Sequence, residues 1–562
     1  MSLMGSLYIG ASGLQTSQNA LNTTAHNMAN VDTAGYVRQM VMQGTRAYNT
    51  ISINGSAIAK QQLGLGVAYA ETKTQRDVFL DKAFRKESGR SAFYEVSTTT
   101  LEEIENLFQE LDGEAFAKTL NNLWTAVQDL ANEPDQASRQ GIFIQRCYEF
   151  LMRAESVYQG LCDYQDNLNA SIQKDVERIN EIGNAIYELN ERIRRIEAGK
   201  MEHANDLHNL RDRLLDELSA LADVSYYYDA FGNMNVKIEG NDFVKMGSVS
   251  EISLHTDPIT GFYTPYWKSL ATTYIDIFGE EQADIEGARV FNVTQTISSE
   301  MNTDVGQVKS KLLARGTHRA TFEDIAVSDP NNLEYFDIDR AGHYDQNISQ
   351  SIIMNMQAEF DQLVNKVVQG INDILRQAAI EAENAAVAAG KTPADSTYMK
   401  DAYGNYLQVF NLINPPPPAG DGTFSIRNVV INNDLRQAPT LLGFHLDDGQ
   451  TDYRTAEKLK ELFDEKTHTL NPNVQTRINL AGYYNAMISQ VANSSSVSRE
   501  IAKNQELTVD QVSAAREQVI GVSTDEELSY MIQFQNAFNA SSRYINVISE
   551  MLEHVVTRLG NG

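Results

Sequence analysis

Cysteine is nearly absent: 562 residues contain two, Cys147 and Cys162. No disulfide framework can support a chain of this size, and no CxxC or Cys/His spacing suggests a structural zinc. Fifteen residues apart on one helical pattern, the two would lie about 22 Å apart along its axis. They cannot pair with each other there and read as buried thiols. Positive charge is also short. Lys and Arg number 46 against 75 Asp and Glu, a formal net charge of -29, which excludes a nucleic-acid binder held by bulk charge. Charge of either sign is missing altogether from residues 1–31. That segment is no bilayer span, because Ser12, Gln15, Thr16, Gln18 and Asn19 interrupt it. It also lacks the basic start and compact apolar centre of a cleaved secretory signal.

What is present is periodicity. Leu7, Leu14, Leu21 and Met28 recur every seven residues, with Met4, Ala11 and Ala25 on the adjoining seam. This predicts an amphipathic helix with a coiled-coil stripe. The other terminus repeats the device with Met531, Phe538, Ile545, Leu552 and Leu559, widened by Leu528, Phe534, Ile548 and Val555. Before it, Gly521 supplies a break, Ser523 or Thr524 a cap, and Asp525, Glu526 and Glu527 the acids that suit a helix N-terminus. The helix should start near Thr524.

Between the arms, residues 140–198 keep helical spacing throughout, with Ile172, Ile179, Ile186 and Ile193 in series. An unbroken helix there would reach roughly 90 Å at 1.5 Å per residue, far longer than a compact enzyme needs. A second helix is expected over 206–222. The period then changes to two: Val224, Tyr226 and Tyr228, a turn at 229–233, and Met234, Val236 and Ile238 predict a hairpin. Helical spacing returns from Ile348 through the Ala-rich residues 378–389, and Pro415 to Pro418 then break the chain.

The predicted fold is mainly α: an elongated multi-domain chain with N- and C-terminal coiled-coil arms, a long-helix bundle carrying β-hairpins, and a small mainly β outer domain. The expected division is 1–45 for the N-terminal arm, 46–390 for the bundle with strands at about 224–300, and 391–469 for the outer domain. Residues 470–521 would be return helices of the bundle and 522–562 the C-terminal arm.

Catalytic chemistry finds no motif. The nine histidines nowhere form HExxH or HxxxH, Gly390-Lys391-Thr392 has Ala385 where a phosphate loop needs glycine, and Gly64-Leu65-Gly66 lacks a third glycine. There is no GxSxG. No catalytic, cofactor-binding or metal-ligating residue is assigned, no cofactor is expected, and the protein reads as no enzyme.

The run Asn27-Met28-Ala29-Asn30-Val31-Asp32-Thr33-Ala34-Gly35-Tyr36-Val37-Arg38-Gln39 resembles the N-terminal signature of bacterial flagellar axial proteins, the rod, hook and hook-associated family. Residues 521–553 resemble that family's C-terminal arm. Leu123-Trp124 through Arg139-Gln140 resemble a helical segment of its hook-associated branch that rod and hook proteins lack, and residues 206–219 are similar to the helix that precedes the first strands in that branch. Read from its residues alone, the signature is a helix stop followed by an extended segment, with Gly35 able to take positive φ. A second reading adds docking between neighbouring subunits, with Asn30, Gly35, Tyr36 and Arg38 as contacts.

The resemblance implies a structural junction protein between hook and filament, extracellular on the bacterial flagellum and exported by the flagellar type III route without a cleaved signal. It implies assembly as a ring of copies through Leu7, Leu14, Leu21, Met28, Leu528, Met531, Phe538, Ile545, Leu552 and Leu559. The implied partners are the hook protein, a second junction protein (hook-associated protein 3) and an export chaperone on the C-terminal arm, with no nucleic acid and no membrane insertion. Between about 258 and 470 the resemblance thins, which leaves open an exported effector or adhesin with that region as its binding surface.

Overall fold

The computed structural model describes residues 3–33, 35–46, 49–53, 60–108, 116–199, 203–275, 281–325, 338–401, 403–413, 423–446 and 449–559. Pro415 to Pro418 fall outside them. Helix α1 (Leu3–Ala29) opens the chain and is followed by strands β1 (Gln39–Thr45), β2 (Asn49–Ile53), β3 (Lys60–Leu63) and β4 (Val67–Thr74). Strands β1 and β4 pair antiparallel, as do β2 and β3. The body begins with α2 (Val78–Phe108), α3 (Phe116–Asn132), α4 (Ala137–Glu197) and α5 (Asn205–Leu221). The 61-residue α4 is the spine foreseen from its isoleucine series, and α5 lies within one residue of its expected span.

The predicted hairpin is formed by β5 (Val224–Tyr228) and β6 (Met234–Ile238), and β7 (Asn241–Lys245) and β8 (Ser248–Val249) extend it to a four-stranded antiparallel sheet. Two separate hairpins follow, β9 (Ile252–Thr256) with β10 (Tyr263–Trp267) and β11 (Thr272–Ile275) with β12 (Glu281–Asp284). Helices α6 (Gln307–Arg315), α7 (Ile338–His343) and α8 (Ile352–Ala388) return the chain to the bundle.

Over 391–469 the described residues hold strands β13 (Phe410–Leu412) and β14 (Val429–Ile431), then helices α9 (Asn433–Gln437) and α10 (Tyr453–Asp464). Strand is the minor part here, where a mainly β unit is expected from the proline break. The physical reason lies in the apolar residues: Leu407, Val409, Phe410, Leu435, Leu459 and Phe463 join the same core as α3, α4 and α8 instead of building a sheet core of their own. Helices α11 (Leu480–Ile520) and α12 (Thr524–Leu559) complete the chain, and α12 begins at the Thr524 read from the sequence.

One helix serves two cores. The first half of α4, Phe143 to Leu168, packs with α3, α8 and α10, where Phe108, Phe116, Phe150 and Phe360 interlock at ring separations of 4.9–5.5 Å. Its second half, Ile172 to Ile186, packs with Leu215, Leu218, Phe243 and Trp267. Both cysteines are buried and free, and burial pushes the Cys162 thiol up to about 11. No described helix is long and apolar enough to cross a membrane.

Beneath α8 a carboxylate is held in the core. Glu359 is fully buried and accepts from Asn471 Nδ2 at 3.1 Å and Gln490 Nε2 at 3.5 Å. Burial outweighs these bonds and raises it from 4.5 to about 7. The folded chain therefore keeps this proton where the unfolded chain has lost it, so stability falls as pH rises between 4.5 and about 7. Glu359→Gln should stabilise the body by about 1–3 kcal/mol at pH 8 and flatten that slope. Urea melts at pH 5 and pH 8 measure it, and an unchanged pH dependence would contradict the assignment.

Candidate functional site

The two arms pack against each other in antiparallel fashion. Gly10 of α1 lies beside Ile545, Gly13 beside Ser541, and Asn27 beside Glu527. The face of α1 turned to α12 is small and polar, with Ser6, Gly10, Ser17, Ala20, Thr24 and Asn27 buried. A Cβ at Gly10 would stand 2.8 Å from Ile545 Cγ1, and one at Gly13 would stand 2.8 Å from Ser541 Oγ. The helices touch this closely because two glycines allow it. On α12 the seam runs through Glu527, Met531, Phe534, Phe538, Ser541, Ile545, Ile548 and Leu552, the less exposed positions of that helix.

The stripes read from the sequence thus fare differently. Ile545 lies against Gly10 of the partner arm, and Met531, Phe538 and Leu552 are half-buried in the same row. Leu528 is 43% exposed, and the side chain of Leu559 lies outside the described residues. On α1, Leu7, Leu14, Leu21 and Met28 are half-buried and flank the seam without forming it. Hydrophobic periodicity could not select the glycine and serine face, although the same alternating three- and four-residue spacing marks it.

The signature run closes the base of this helix pair. The chain turns through Gly35, whose φ of 78° demands glycine. Tyr36 then donates its hydroxyl to Asn27 Oδ1 at 2.7 Å. The Gln39 amide donates to the same oxygen at 3.0 Å, while Asn27 Nδ2 donates to the Gln39 carbonyl at 2.8 Å and to Glu527 Oε2 at 3.1 Å. Arg38 spans to the other arm, with Nε 2.8 Å from Glu527 Oε1 and a terminal nitrogen 2.8 Å from Glu526 Oε2. Its backbone amide donates to the Ile520 carbonyl at 2.9 Å, the last residue of α11.

Burial works against charge on Arg38, but Glu527 and Glu526 outweigh it and hold the guanidinium above its ordinary pKa. Burial, with Asp206 and Glu527, likewise raises the Tyr36 phenol. Tyr36 and Arg38 therefore make their contacts within the chain. Asn30 bonds only locally, donating to the His26 carbonyl at 2.9 Å and accepting from Thr33 at 3.2 Å. The residues missed from sequence are Asn27 as the hub and Glu527 as its partner. No local signal could link positions so far apart in the chain.

Asn27→Ala would leave Glu527 and the Gln39 backbone short of partners in a largely buried place, at a cost of about 1–3 kcal/mol. Amide exchange in α1 and the first turns of α12 should accelerate roughly five- to hundredfold while that in α4 stays unchanged. Equal exchange in both arms of mutant and wild type would contradict the clasp.

Below the clasp, a buried charge network ties the end of α11 to α2 and α5. Arg85 of α2 bonds Asp212 at 3.0 Å and Asp216 at 2.6 Å, both on α5. Arg516 near the end of α11 bonds Asp81 and Asp216, each at 2.7 Å. Arg76 reaches Asp81 at 3.1 Å and also Asp212. Three arginines and three aspartates balance, so the network carries no net charge.

Comparison with known proteins gives a consistent result. Residues 101–310 match the family described as flagellar hook-associated protein FlgK helical domain. Residues 7–36 match flagella basal body rod protein, and 519–558 match flagellar basal body rod FlgEFG protein C-terminal. The chain is similar to flagellar hook-associated protein 1 of Bacillus subtilis (strain 168), 24% identical over 552 residues, covering 98% of this chain and 97% of that protein. The corresponding protein of Escherichia coli (strain K12) is 22% identical over 567 residues, covering 97% and 98%. A solved structure, the flagellar hook junction protein FlgK from Burkholderia pseudomallei, shares the fold with a TM-score of 0.51 at 12% identity, over 79% of this chain and 100% of that one.

Proposed function

From its similarity to flagellar hook-associated protein 1 over nearly its whole length, we propose that the chain is a structural junction of the bacterial flagellum, assembling as a ring between hook and filament through its terminal arms. The observation that carries this reading is the pairing of α1 with α12. Both ends of the chain meet in one helical unit, clasped by Asn27, Arg38 and Glu527 and joined to a long body. Copies set side by side would bury the flanking row Leu7, Leu14, Leu21 and Met28 together with exposed Leu528, and the body would project outward. A nearly uncharged N-terminal arm suits that packing, because like charges do not accumulate where copies meet.

The proposed partners are further copies of the chain, the hook protein on one side and the second junction protein, hook-associated protein 3, on the other. Before assembly, an export chaperone would cover the apolar rows of α12, which otherwise invite aggregation. Export through the flagellar channel, without cleavage, would deliver the chain to the outside. The domain division follows the same logic: 1–45 with 522–562 as the axial unit, and the long bundle as the projecting part. No catalytic step is proposed. The effector or adhesin reading is set aside, since the similarity to hook-associated protein 1 runs through the central region as well.

Co-sedimentation with isolated hooks tests the arm-mediated part. The full chain should pellet with hooks, and a chain lacking 1–45 and 522–562 should remain in the supernatant. Equal pelleting of both would contradict it.

A further inference from the structure

Strand β1 has an open edge. It pairs with β4 alone. At one end of the pair the Arg38 carbonyl accepts from the Gln75 amide at 3.0 Å, and at the other the Arg46 amide donates to the Gly66 carbonyl at 3.0 Å. Antiparallel alternation between these ends turns the backbone groups of Met40 and Met42 toward β4 and those of Gln39, Val41 and Gln43 away from it. The first outward position is filled. Asn27 meets Gln39 as a neighbouring strand would, accepting from its amide at 3.0 Å and donating to its carbonyl at 2.8 Å. At Val41 and Gln43 no backbone group bonds outward among the described residues.

A groove of about 340 Å³ runs along this edge, with Arg38 to Gln43 on one side and Thr24, Tyr530, Gln533 and Phe534 on the other. Six consecutive β1 residues line it, as expected where a strand shows its edge, because side chains on one face would contribute only every second residue. The charged residues of the lining, Arg38 and Glu527, pair with each other at 2.8 Å. The groove therefore suits an uncharged extended strand.

We propose that β2 of a second copy enters this groove and pairs with the free edge of β1. Strand β2, Asn49-Thr50-Ile51-Ser52-Ile53, carries no charge, and Thr50, Ile51 and Ile53 are β-branched. Its five residues span about 17 Å, against about 20 Å for the groove wall. In its own chain β2 pairs with β3 alone, beyond the end of β1, and keeps its other edge free. The strand beside β1 therefore comes from a neighbour. Both ribbons are two-stranded, a form that is marginal in water by itself. Joining them across copies builds a four-stranded sheet in the order β4, β1, β2, β3 and covers both edges. The proposal rests on the junction reading above.

A short bismaleimide tests it. The native thiols, Cys147 and Cys162, are buried, so Gln43→Cys with Ser52→Cys in the full chain supplies the accessible pair. Treated junctions on hook-bearing particles should yield a ladder of covalent multimers of this chain, and either new cysteine alone should yield none. Adding Val41→Pro removes an outward N–H and spares the β1–β4 ladder, so the crosslink yield should fall about three- to tenfold, the effect of one hydrogen bond. Adding Val41→Ala, which keeps that N–H, should lower it less. Crosslinks to a different protein, no ladder, or equal yields for the proline and alanine variants would overturn the inference. If Val41→Pro fails to fold, the ladder from the two-cysteine chain still decides it. An immunoblot of the same preparation keeps the two claims apart: absence of the chain from hook-bearing particles would overturn the junction reading, and this inference with it.

Discussion

Cells producing Phe538→Asp are expected to be non-motile, to carry hooks without filaments and to shed flagellin into the medium. Phe538 sits on the α12 seam between the Gly13–Ser541 and Asn27–Glu527 contacts, where glycine brings the α1 backbone close and α1 itself carries no Lys or Arg. An aspartate there removes apolar burial and places a charge in a narrow seam without a partner, a loss of about 2–4 kcal/mol. An isolated helix of this length has little stability of its own, so that loss is enough to separate the arms. The thermal melt of the body should match wild type. A chaperone pull-down should fail as well. Normal filaments on these cells would refute the role given to the arm pair.

The second large effect belongs to the charge network at the base of the body. Asp216→Ala leaves Arg85 and Arg516 each short of a carboxylate in a place where Arg85 is only 4% exposed, and removing one partner of such a buried set costs about 3–5 kcal/mol. Arg178 provides the contrast: it pairs Glu217 at 2.7 Å on the exposed face of the same helix, and Arg178→Ala should cost below about 1 kcal/mol. Denaturant melts of the two variants decide the point. Equal losses would mean that the network contributes no more than a surface pair. Because the network joins α2 and α5 to the end of α11, Asp216→Ala should also loosen the arm relative to the body, seen as faster exchange near Ile520.

How much of this was legible in the sequence follows from the kind of signal each feature leaves. The α4 spine, the β5–β6 hairpin and the start of α12 each depend on a local pattern: isoleucine periodicity, alternation about a turn, and a cap followed by acids. All three were readable. The arm seam was half readable. On α12 the apolar residues are the seam, whereas on α1 close approach selects glycine and serine, so Leu7, Leu14, Leu21 and Met28 point to the flank. Arg38 stood out beside its signature turn, but its partners Glu526 and Glu527 are nearly five hundred residues away and already had a local explanation as helix-start acids. The 391–469 stretch misled because a proline run reads as a break between domains, while the apolar residues around it pack into the helical core.

The most direct test of the central claim is to delete the gene in its own bacterium, image the cell surface by electron microscopy and assay the medium for flagellin. The account predicts hooks without filaments and flagellin released as monomer, both restored by the wild-type chain. Filaments of normal number and length on the deletion strain would contradict it.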